Sequence, residues 1–496
     1  MDQVASARRV KTAVDLVIRL LILAALAFAS SCTSPPPPRE FVSVTALEGL
    51  ENPTPTVEPE IKNPVIPVTG TALEDNSIYL FCPVLLQPVV IDLEIYQTPP
   101  LPEPPPRVSF HDPVFGSCIA RLTDRINDRA PADRSSGISS PLSAVQAFNA
   151  DGSLVLARST EGFWYLYSTH TLELQGTLPV YGSAEVYWDP VDPAQLYYFK
   201  GTSMVSYNLQ NGRSVKLHDF SYDFPDEAVE SVGTNNGASM SLDGRYWGLR
   251  AQGSGGQTIG LLIYDRIDHK VTASLELPEQ SSVRAVSLSP YGTYFLAWHD
   301  FTCAEDTLED GNSACGLVVY DQNLENARTL LPGPAPFDTT LDLQGQEVVV
   351  YYDIGMSSIS MLDLETGERK ALWLIDQSQS VLGVNISGRA LLRPGWVLIS
   401  TYGVQSHENF TWMDNSIFAT ELDPGGRLVR IAHTQSIASD EELTGRISQP
   451  KASPNMDFSQ IIFTSNWGRA GTGEVDAYLI ALPHDWTLNL PEGSGQ

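Results

Sequence analysis

The chain has 496 residues, of which 59 are acidic and 30 are Lys or Arg, so its formal net charge at pH 7 is −29. This balance argues against nucleic acid as a partner, because nucleic-acid binders need a basic surface that displaces counterions from phosphates. It also argues against electrostatic docking on anionic lipid. The length suits two or three average domains or one large repeat fold.

The start of the chain is typical of an export signal. A basic head, RRVK at residues 8–11, is followed by the apolar run LLILAALAFA at residues 20–29. This run has the length of a signal-peptide core and is too short to span a bilayer alone. Two alternatives are an ordinary secretory signal that is cut near Ala29 and an uncleaved anchor that begins at Ala13.

The exit from the apolar run carries a cysteine. ASSC at residues 29–32 resembles the lipobox of bacterial lipoproteins, although Ala29 stands where most members have Leu or another aliphatic residue. The resemblance implies that residues 1–31 are a lipoprotein signal peptide and that Cys32 is acylated. Three acyl chains would keep the protein on a membrane. Thr33 in place of Asp implies the outer membrane in a Gram-negative cell, so we expect a lipid anchor in the bacterial cell envelope.

Cysteine counting is consistent with lipidation. The chain has five cysteines, an odd number for an exported protein. If Cys32 carries lipid, four remain and two disulfides become possible. Cys303 and Cys315 flank one short acidic loop and are predicted to pair, and Cys82 and Cys118 form the second predicted pair by elimination.

Residues 32–106 are predicted to form a lipid-anchored, proline-rich linker. Residues 33–106 contain 17 of the 35 prolines, and such a segment favours extended polyproline geometry and acts as a semi-rigid spacer. Within the linker, the stretch from Ile78 to Tyr96 is too apolar to stay solvated. It is predicted to lie along the globular body as an edge strand, pinned through Cys82, because Pro83 and Pro88 suit a sheet edge.

A repeated phrase dominates the chain after Val108. A small or polar residue, a turn with Gly and an apolar strand recur in NADGSLVLA, SLDGRYWGL, SPYGTYFLA and DLQGQEVVV, which begin at residues 149, 241, 289 and 342. A second hairpin follows each phrase. Two hairpins in a unit of about 40 to 50 residues are typical of the four-stranded blade of a β-propeller.

The repeats predict an all-β, seven-bladed β-propeller over residues 107–486, with a C-terminal tail at 487–496. The predicted blades span residues 141–178, 183–217, 237–277, 283–331, 338–375, 381–433 and 450–482. The last unit is short of strands, whereas SCIARLTD at residues 117–124 has the pattern of an isolated strand. We therefore predict that this early strand completes the last blade and closes the ring, which removes open sheet edges.

The repeat phrases resemble the blades of TolB-like and WD-like propellers of bacterial envelope proteins. More remotely, FTSNWG at residues 463–468 and VDAYLIALP at 475–483 are similar to the closing blade of oligogalacturonate-lyase-type propellers. That resemblance implies histidines around the channel, several of which bind a metal, and a charge-neutralising cation. This chain departs from the pattern with Pro450-Lys451 and Phe337-Asp338 where histidines are implied, so we predict neither a cofactor nor a metal site.

The long loops are predicted to emerge on one face of the ring, which we call the long-loop face. It carries the loops between blades and those between the second and third strands of each blade, and long loops on a rigid ring commonly carry recognition. The candidate catalytic residues there are His299, His407 and Arg469, and the candidate ligand-binding residues are Trp412 and Trp467. Trp467 is also interpretable as a blade-packing aromatic residue, and each histidine as a surface residue.

The leading functional hypothesis is therefore a membrane-anchored envelope lipoprotein that binds a protein or glycan partner through the long-loop face without catalysis. A separate, structural interpretation is a scaffold for envelope assembly. The alternative is a polysaccharide lyase or glycosidase that acts on acidic glycans, in which a histidine and an arginine serve as base and charge neutraliser.

Overall fold

Seven β-sheets of four or five strands form a β-propeller in the described part of the chain, as the repeats predict. The computed structural model describes residues 81–82, 92–180, 182–224, 228–235, 237–278, 281–303, 315–333, 335–375, 382–404, 409–438, 447–488 and 490. The predicted signal peptide, Cys32 and His407 lie outside these residues. Among the residues that are described, none belongs to a helix with the length and apolarity needed to cross a membrane.

Blades 1 to 6 each come from one stretch of chain, with their strands in sequence order from the channel outward. Blade 1 consists of Ile138–Ser139, Leu154–Ser159, Trp164–Ser168 and Leu174–Thr177. Blade 2 consists of Val186–Trp188, Gln195–Lys200, Ser203–Asn208 and Arg213–Asp219. Blade 3 consists of Ser231–Gly233, Tyr246–Gln252, Thr258–Asp265 and Lys270–Glu276. Blade 4 consists of Val283–Leu288, Tyr294–His299, Leu317–Asp321 and Arg328–Leu331, and blade 5 of Phe337–Leu341, Glu347–Asp353, Ser358–Asp363 and Arg369–Leu374. Blade 6 consists of Leu382–Ser387, Trp396–Val404, Ser416–Glu421 and Leu428–His433. A fifth short strand, Ile437–Ala438, pairs parallel with Trp396–Val404 in blade 6. Two 3-10 turns, Phe220–Tyr222 and Ser254–Gly256, lie in loops.

Blade 7 takes its strands from two distant parts of the chain. From the channel outward, its strands are Ser453–Pro454, Gln460–Ser465, Asp476–Ala481, Cys118–Arg121 and Ser109–His111. Cys118–Arg121 pairs antiparallel with Asp476–Ala481 along its whole length. The early strand therefore lies beside the last strand of the chain, and backbone hydrogen bonds join the two parts into one sheet.

A buried group of charges reinforces this junction, and we call it the latch. The Asp476 carboxylate is fully buried, lies 2.8 Å from Arg121 Nη2 in an ion pair, and accepts a hydrogen bond from Arg125. Glu103 adds a second carboxylate, 2.9 Å from Arg125 and 2.7 Å from Arg469. Residues from the linker, the early strand and the closing blade are thus held by one ion-pair network.

The repeated turn has a conformational reason for its glycine. Gly244 and Gly292 have φ values of +71° and +75° in the first hairpins of blades 3 and 4. A Cβ on Gly244 would also lie 2.9 Å from Pro190 Cδ in the next blade. Only glycine adopts such backbone angles without strain, which is why the turn glycine recurs at the blade period.

The hydrophobic core lies between neighbouring blades. Trp247 of blade 3 is fully buried, and its ring meets Tyr187, Tyr197 and Phe199 of blade 2 edge-on at centroid distances of 5.2, 5.5 and 5.9 Å. Such edge-to-face pairs contribute about 0.5–1.5 kcal/mol each beyond the burial of their area. The middle strands of each blade are buried on both faces because each sheet is covered by two neighbours.

The last part of the linker belongs to the folded body. Gln97 donates to the Asn409 backbone oxygen at 2.9 Å, and Arg430 and Trp467 donate to the backbone oxygens of Glu94 and Leu101. The predicted edge strand does not form in the described residues 81–82 and 92–96; residues 83–91 lie outside them. Side chains of blades 6 and 7 hold the segment from residue 92 through these hydrogen bonds in place of a strand ladder.

Both predicted cysteine pairs are at disulfide distance. Their Cα–Cα separations are 6.3 Å for Cys82 and Cys118 and 5.1 Å for Cys303 and Cys315. The first pair connects the linker to the outer part of blade 7. The second closes a loop between the second and third strands of blade 4, of which residues 304–314 lie outside the described residues.

Candidate functional site

Three adjoining cavities open around the mouth of the central channel, and together we call them the channel-mouth site. They have volumes of ≈ 390, ≈ 480 and ≈ 530 Å³, which suit small-molecule ligands. Arg158, Arg250 and His299 line them at the ends of the second strands of blades 1, 3 and 4, which places the site on the long-loop face. Asn235 lines all three cavities and therefore joins them into one bowl.

A loop of blade 1 forms the floor of this bowl. Residues 140–146, the channel loop, follow the inner strand Ile138–Ser139 and cross the channel. Ser387 of blade 6 donates to the Ser143 backbone oxygen at 2.6 Å, and Ser453 of blade 7 donates to the Val145 oxygen at 2.8 Å. The channel loop therefore connects blade 1 to blades 6 and 7, and its residues Leu142, Ser143 and Ala144 line the largest of the three cavities.

Replacing Gly237 by alanine is expected to disturb this floor. Gly237 has a φ of +88°, and a Cβ there would lie 2.4 Å from Val145 Cγ2 of the channel loop. We expect Gly237→Ala to lower the free energy of unfolding by about 2 kcal/mol through overpacking and backbone strain, measured by urea denaturation. Gly255→Ala is the matched control, since Gly255 has a φ of +80° but nothing within 4 Å of its Cβ position. Equal losses in both variants would contradict packing against the floor.

Positive charge collects at the bowl, although the chain as a whole is strongly acidic. Five cationic side chains line the three cavities: Arg158, Lys200, Arg250, Arg284 and Lys451. Among the described lining residues, Glu185 is the one carboxylate. The described lining of the site therefore carries an excess of positive charge, in a protein whose net charge is −29.

Two of these arginines have no carboxylate partner among the residues that the structure describes, and we call Arg158 and Arg250 the arginine pair. Arg158 donates to the Gly182 backbone oxygen and Arg250 to Thr258 Oγ1 at 3.1 Å, and the Nε of each is buried without a hydrogen-bond partner. Burial lowers the pKa of both guanidinium groups, a shift that Glu185 opposes at longer range.

Glu185 does not neutralise the arginine pair at close range because neutral donors occupy its oxygens. It accepts from the hydroxyl of Tyr187 at 2.8 Å and from the backbone N–H groups of Thr234 and Asn235 at 2.9 and 2.6 Å. Partly buried cations without a paired anion are costly to the folded protein. The arrangement favours an anionic ligand that supplies the missing charge.

The opposite side of the bowl is aromatic. Trp298, His299 and Tyr352 line the largest cavity, and each is at least nine-tenths buried. The indole Nε1, the imidazole Nε2 and the phenol oxygen of these residues have no hydrogen-bond partner among the described residues. The Trp298 and Phe337 rings lie 4.5 Å apart. Aromatic side chains that line a cavity are suited to sugar rings.

His299 is expected to be neutral at pH 7. Its Nδ1 lies 3.0 Å from Ser282 Oγ, and burial lowers its pKa below the ordinary value of about 6.5, with Asp300 opposing the shift. As the pH falls, the unfolded chain binds a proton at His299 before the folded protein does. The contribution of His299 to the free energy of unfolding is therefore present above about pH 6.5, and it is lost as the pH falls through the lower pKa of the folded protein. An NMR titration, assigned with His299→Asn, should give a midpoint below 6.5; a higher midpoint would contradict it.

The other predicted site residues lie away from the bowl. Arg469 pairs with Glu103 in the latch, and Trp467 stacks on Tyr478 at 5.0 Å, as a blade-packing aromatic residue does. Trp412 packs against Phe418 at 5.1 Å and lies under the Arg430 guanidinium. None of the three lines a cavity of the channel-mouth site. The structure therefore brings His299, but not these residues, to the bowl.

The arginine pair was missed by the sequence prediction, although the repeat contains a signal for it. Arg158, Arg250 and Trp298 each lie six residues after the turn glycine of their blade. A residue at this position lies within the last three residues of the second strand and lines the bowl in all three blades. Comparing this one position between repeats would have indicated a cationic site.

Comparisons with known proteins support the fold. No protein-family model and no curated protein sequence matches the chain. Among solved structures, an oligogalacturonate lyase in complex with manganese superimposes with a TM-score of 0.51 at 16% identity, covering 76% of this chain and 96% of that one. An oligogalacturonate lyase from Vibrio parahaemolyticus gives a TM-score of 0.52 at 11% identity, covering 76% and 97%. At these identities the likeness shows the propeller fold alone.

The channel-mouth site does not fit a metal bound by several histidines, which the resemblance to these lyases implies. His299 is the one histidine that lines the cavities in the described residues. At one position where a histidine is implied, Asp338 has both carboxylate oxygens bonded to Arg389. At the other, Lys451 places its ammonium 3.4 Å from Ser139 Oγ.

One further cluster in the described part of the chain offers three metal-ligating side chains, namely Cys82, His111 and Cys118. Its two cysteines are at disulfide distance. A disulfide-bonded cysteine has no thiolate to donate, and the thiolate is the form that binds metals. We therefore derive no metal-dependent step for this protein.

Proposed function

We propose that this protein binds an acidic glycan in the channel-mouth site, as a lipid-anchored protein of the bacterial cell envelope. The observation that carries the proposal is the arginine pair, Arg158 and Arg250, which lines the bowl with no carboxylate partner in the described part of the chain. Planar guanidinium groups bind carboxylate and sulfate oxygens through two parallel hydrogen bonds. The closed floor and the aromatic wall favour a carbohydrate over a flat protein surface.

The glycan class is supported by the fold neighbours. Both are oligogalacturonate lyases, which act on a chain of carboxylated sugars, and they share the propeller architecture with this chain. The cationic side chains that line the bowl are suited to form ion pairs with such carboxylates. The proposal transfers the chemical class of the ligand and not the reaction, because the implied histidine cluster is absent from the described residues of the site.

Binding is tested with the full chain purified in detergent. Isothermal titration calorimetry compares oligosaccharides that contain uronic acid with neutral oligosaccharides of the same length. We expect the acidic sugars to bind and their affinity to fall as salt is raised, since the contacts are ionic. Equal binding of the neutral sugars, or no binding of any acidic sugar, would overturn the proposal.

The membrane anchor rests on the sequence ASSC at residues 29–32 and is tested separately. Cells that express the full chain are labelled with a radioactive fatty acid and fractionated. We expect the wild-type protein to carry label and to sediment with the outer membrane, and Cys32→Ala to lose the label. Label on Cys32→Ala, or recovery of the wild type in the soluble fraction, would contradict the anchor.

A second candidate function is lyase activity on the same class of glycan. His299 favours it, because it lines the bowl and its neutral imidazole has a buried Nε2 without a hydrogen-bond partner among the described residues, and a neutral imidazole can act as a general base. Eliminative cleavage would give unsaturated products that absorb in the ultraviolet. Absorbance that rises with wild type and not with His299→Ala would establish the lyase, and absence of products with a bound acidic glycan would leave a binding protein.

A further inference from the structure

The channel-mouth site is divided into two chemically different halves. The cationic half lies on blades 7, 1, 2 and 3 and contains Lys451, Arg158, Lys200 and Arg250, together with aromatic side chains: Trp164, Tyr187, Tyr198 and Phe199. The aromatic half lies on blades 4, 5 and 6 and contains Trp298, Phe337, Tyr352 and Tyr402. Aromatic side chains line both halves, and the halves differ in charge, because four cations line the first and one, Arg284, lines the second among the described residues.

Asn235 fixes the boundary between the two halves. Its backbone N–H donates to Glu185 in the cationic half at 2.6 Å, and its side-chain amide donates to the Arg284 backbone oxygen in the aromatic half at 3.1 Å. Its φ of +60° belongs to the left-handed region, which asparagine tolerates better than most residues. Because it contacts both halves and lines all three cavities, one ligand can cross it from one half to the other.

The polar atoms that have no hydrogen-bond partner among the described residues also differ in charge between the two halves. In the cationic half they are the charged Nε atoms of Arg158 and Arg250. In the aromatic half they belong to Trp298, His299 and Tyr352, which are neutral groups. Among the described residues, Arg284 is the one cation that lines the aromatic half. It lies 3.6 Å from Asp300, and about half of its side chain is exposed. The charge of Arg284 is therefore largely screened by this carboxylate and by water.

From this division we infer that the ligand is an acidic heteroglycan in which a uronic acid residue is linked to an uncharged sugar, and not a uniform chain of uronic acids. The carboxylate lies in the cationic half and the uncharged ring stacks in the aromatic half. A second carboxylate there would be desolvated next to indole and phenol rings without a free cation, which is costly. The inference rests on the proposed binding of acidic glycans and specifies the ligand.

The test compares three tetrasaccharides of equal length with the full chain in detergent. The probes are an alternating uronic acid and N-acetylhexosamine chain, a uniform chain of uronic acids, and a neutral chain of N-acetylhexosamines. We expect the alternating probe to bind at least ten times more tightly than the uniform probe, with the neutral probe the weakest. Tighter or equal binding of the uniform probe would overturn the inference while leaving the proposed function intact, and failure of both acidic probes would overturn both.

Variants of each half separate the two contributions. Trp298→Phe keeps a ring beside Phe337 and removes the indole N–H, and it is expected to weaken the alternating probe about tenfold and the uniform probe by less than twofold. Arg158→Gln is expected to weaken both acidic probes by similar factors. Trp412→Phe, outside the bowl, is the control and should change neither affinity. Equal loss of both acidic probes in Trp298→Phe would contradict the division of the site.

Discussion

Replacing Arg158 and Arg250 together by glutamine is expected to weaken the binding of an acidic oligosaccharide at least 100-fold. Each guanidinium lines the bowl and has no carboxylate partner in the described protein. A hydrogen bond to a charged group contributes about 1.5–3 kcal/mol, or roughly 10- to 100-fold in affinity for each arginine. Glutamine keeps a polar side chain of moderate length and removes the charge, so the loss measures the ionic contribution.

Calorimetry with the full chain measures this effect. The single variants should each lose about tenfold or more, and their combined loss tests whether the two side chains hold the same anionic group. Arg213→Gln is the matched control, because Arg213 lies on the exposed outer strand of blade 2. The prediction also includes a weaker salt dependence of binding in the double variant. An unchanged affinity in a folded double variant would exclude the channel-mouth site as the anion site.

Asp476→Asn is expected to cost the protein about 3 kcal/mol in the free energy of unfolding. The carboxylate is fully buried in the latch and contacts Arg121 and Arg125, whose side chains are 8% and 11% exposed. Removing one partner of a buried ion pair leaves uncompensated charge and typically costs about 3–5 kcal/mol. Glu103 still contacts both arginines, which places the expected loss at the low end of this range.

Urea unfolding followed by tryptophan fluorescence measures this loss. Asp485→Asn is the control: Asp485 pairs with Arg393 at 2.6 Å, but half of its side chain is exposed. Exposed pairs contribute about 0–1 kcal/mol, so this variant should unfold close to wild type. The comparison holds the chemistry of the substitution constant and changes only the burial of the pair. Equal midpoints for the two variants would show that the latch does not stabilise the junction of blade 7.

The latch and the linker segment also bear on the design of shorter proteins. A chain that begins at residue 107 follows the predicted domain boundary but loses Glu103 and the backbone oxygens of Glu94 and Leu101. These groups accept hydrogen bonds from Arg469, Arg430 and Trp467 respectively. The donors would then lack partners in partly buried positions, which destabilises a protein. The folded body therefore includes residues from position 92 onward.

The blade architecture could be predicted from the sequence because it depends on local patterns. The turn glycines, the alternating apolar strands and their period of about 46 residues follow from backbone sterics and from strand pairing between neighbours in the chain. Cys118–Arg121 could be assigned to the last blade because that unit lacked strands, and it pairs there. The disulfide-distance pairs followed from counting cysteines.

The chemistry of the site was decided by the tertiary structure. His299, Arg469 and Trp467 were all predicted from the sequence as candidate site residues on the long-loop face. The structure places His299 at the bowl, whereas Arg469 and Trp467 contact Glu103 and Leu101 of the segment before the propeller. The arginine pair and the aromatic wall come from blades that are distant in the chain, and the channel loop closes the floor beneath them. Local sequence sets each strand and turn, whereas ring closure alone determines which strand ends face one another across the channel.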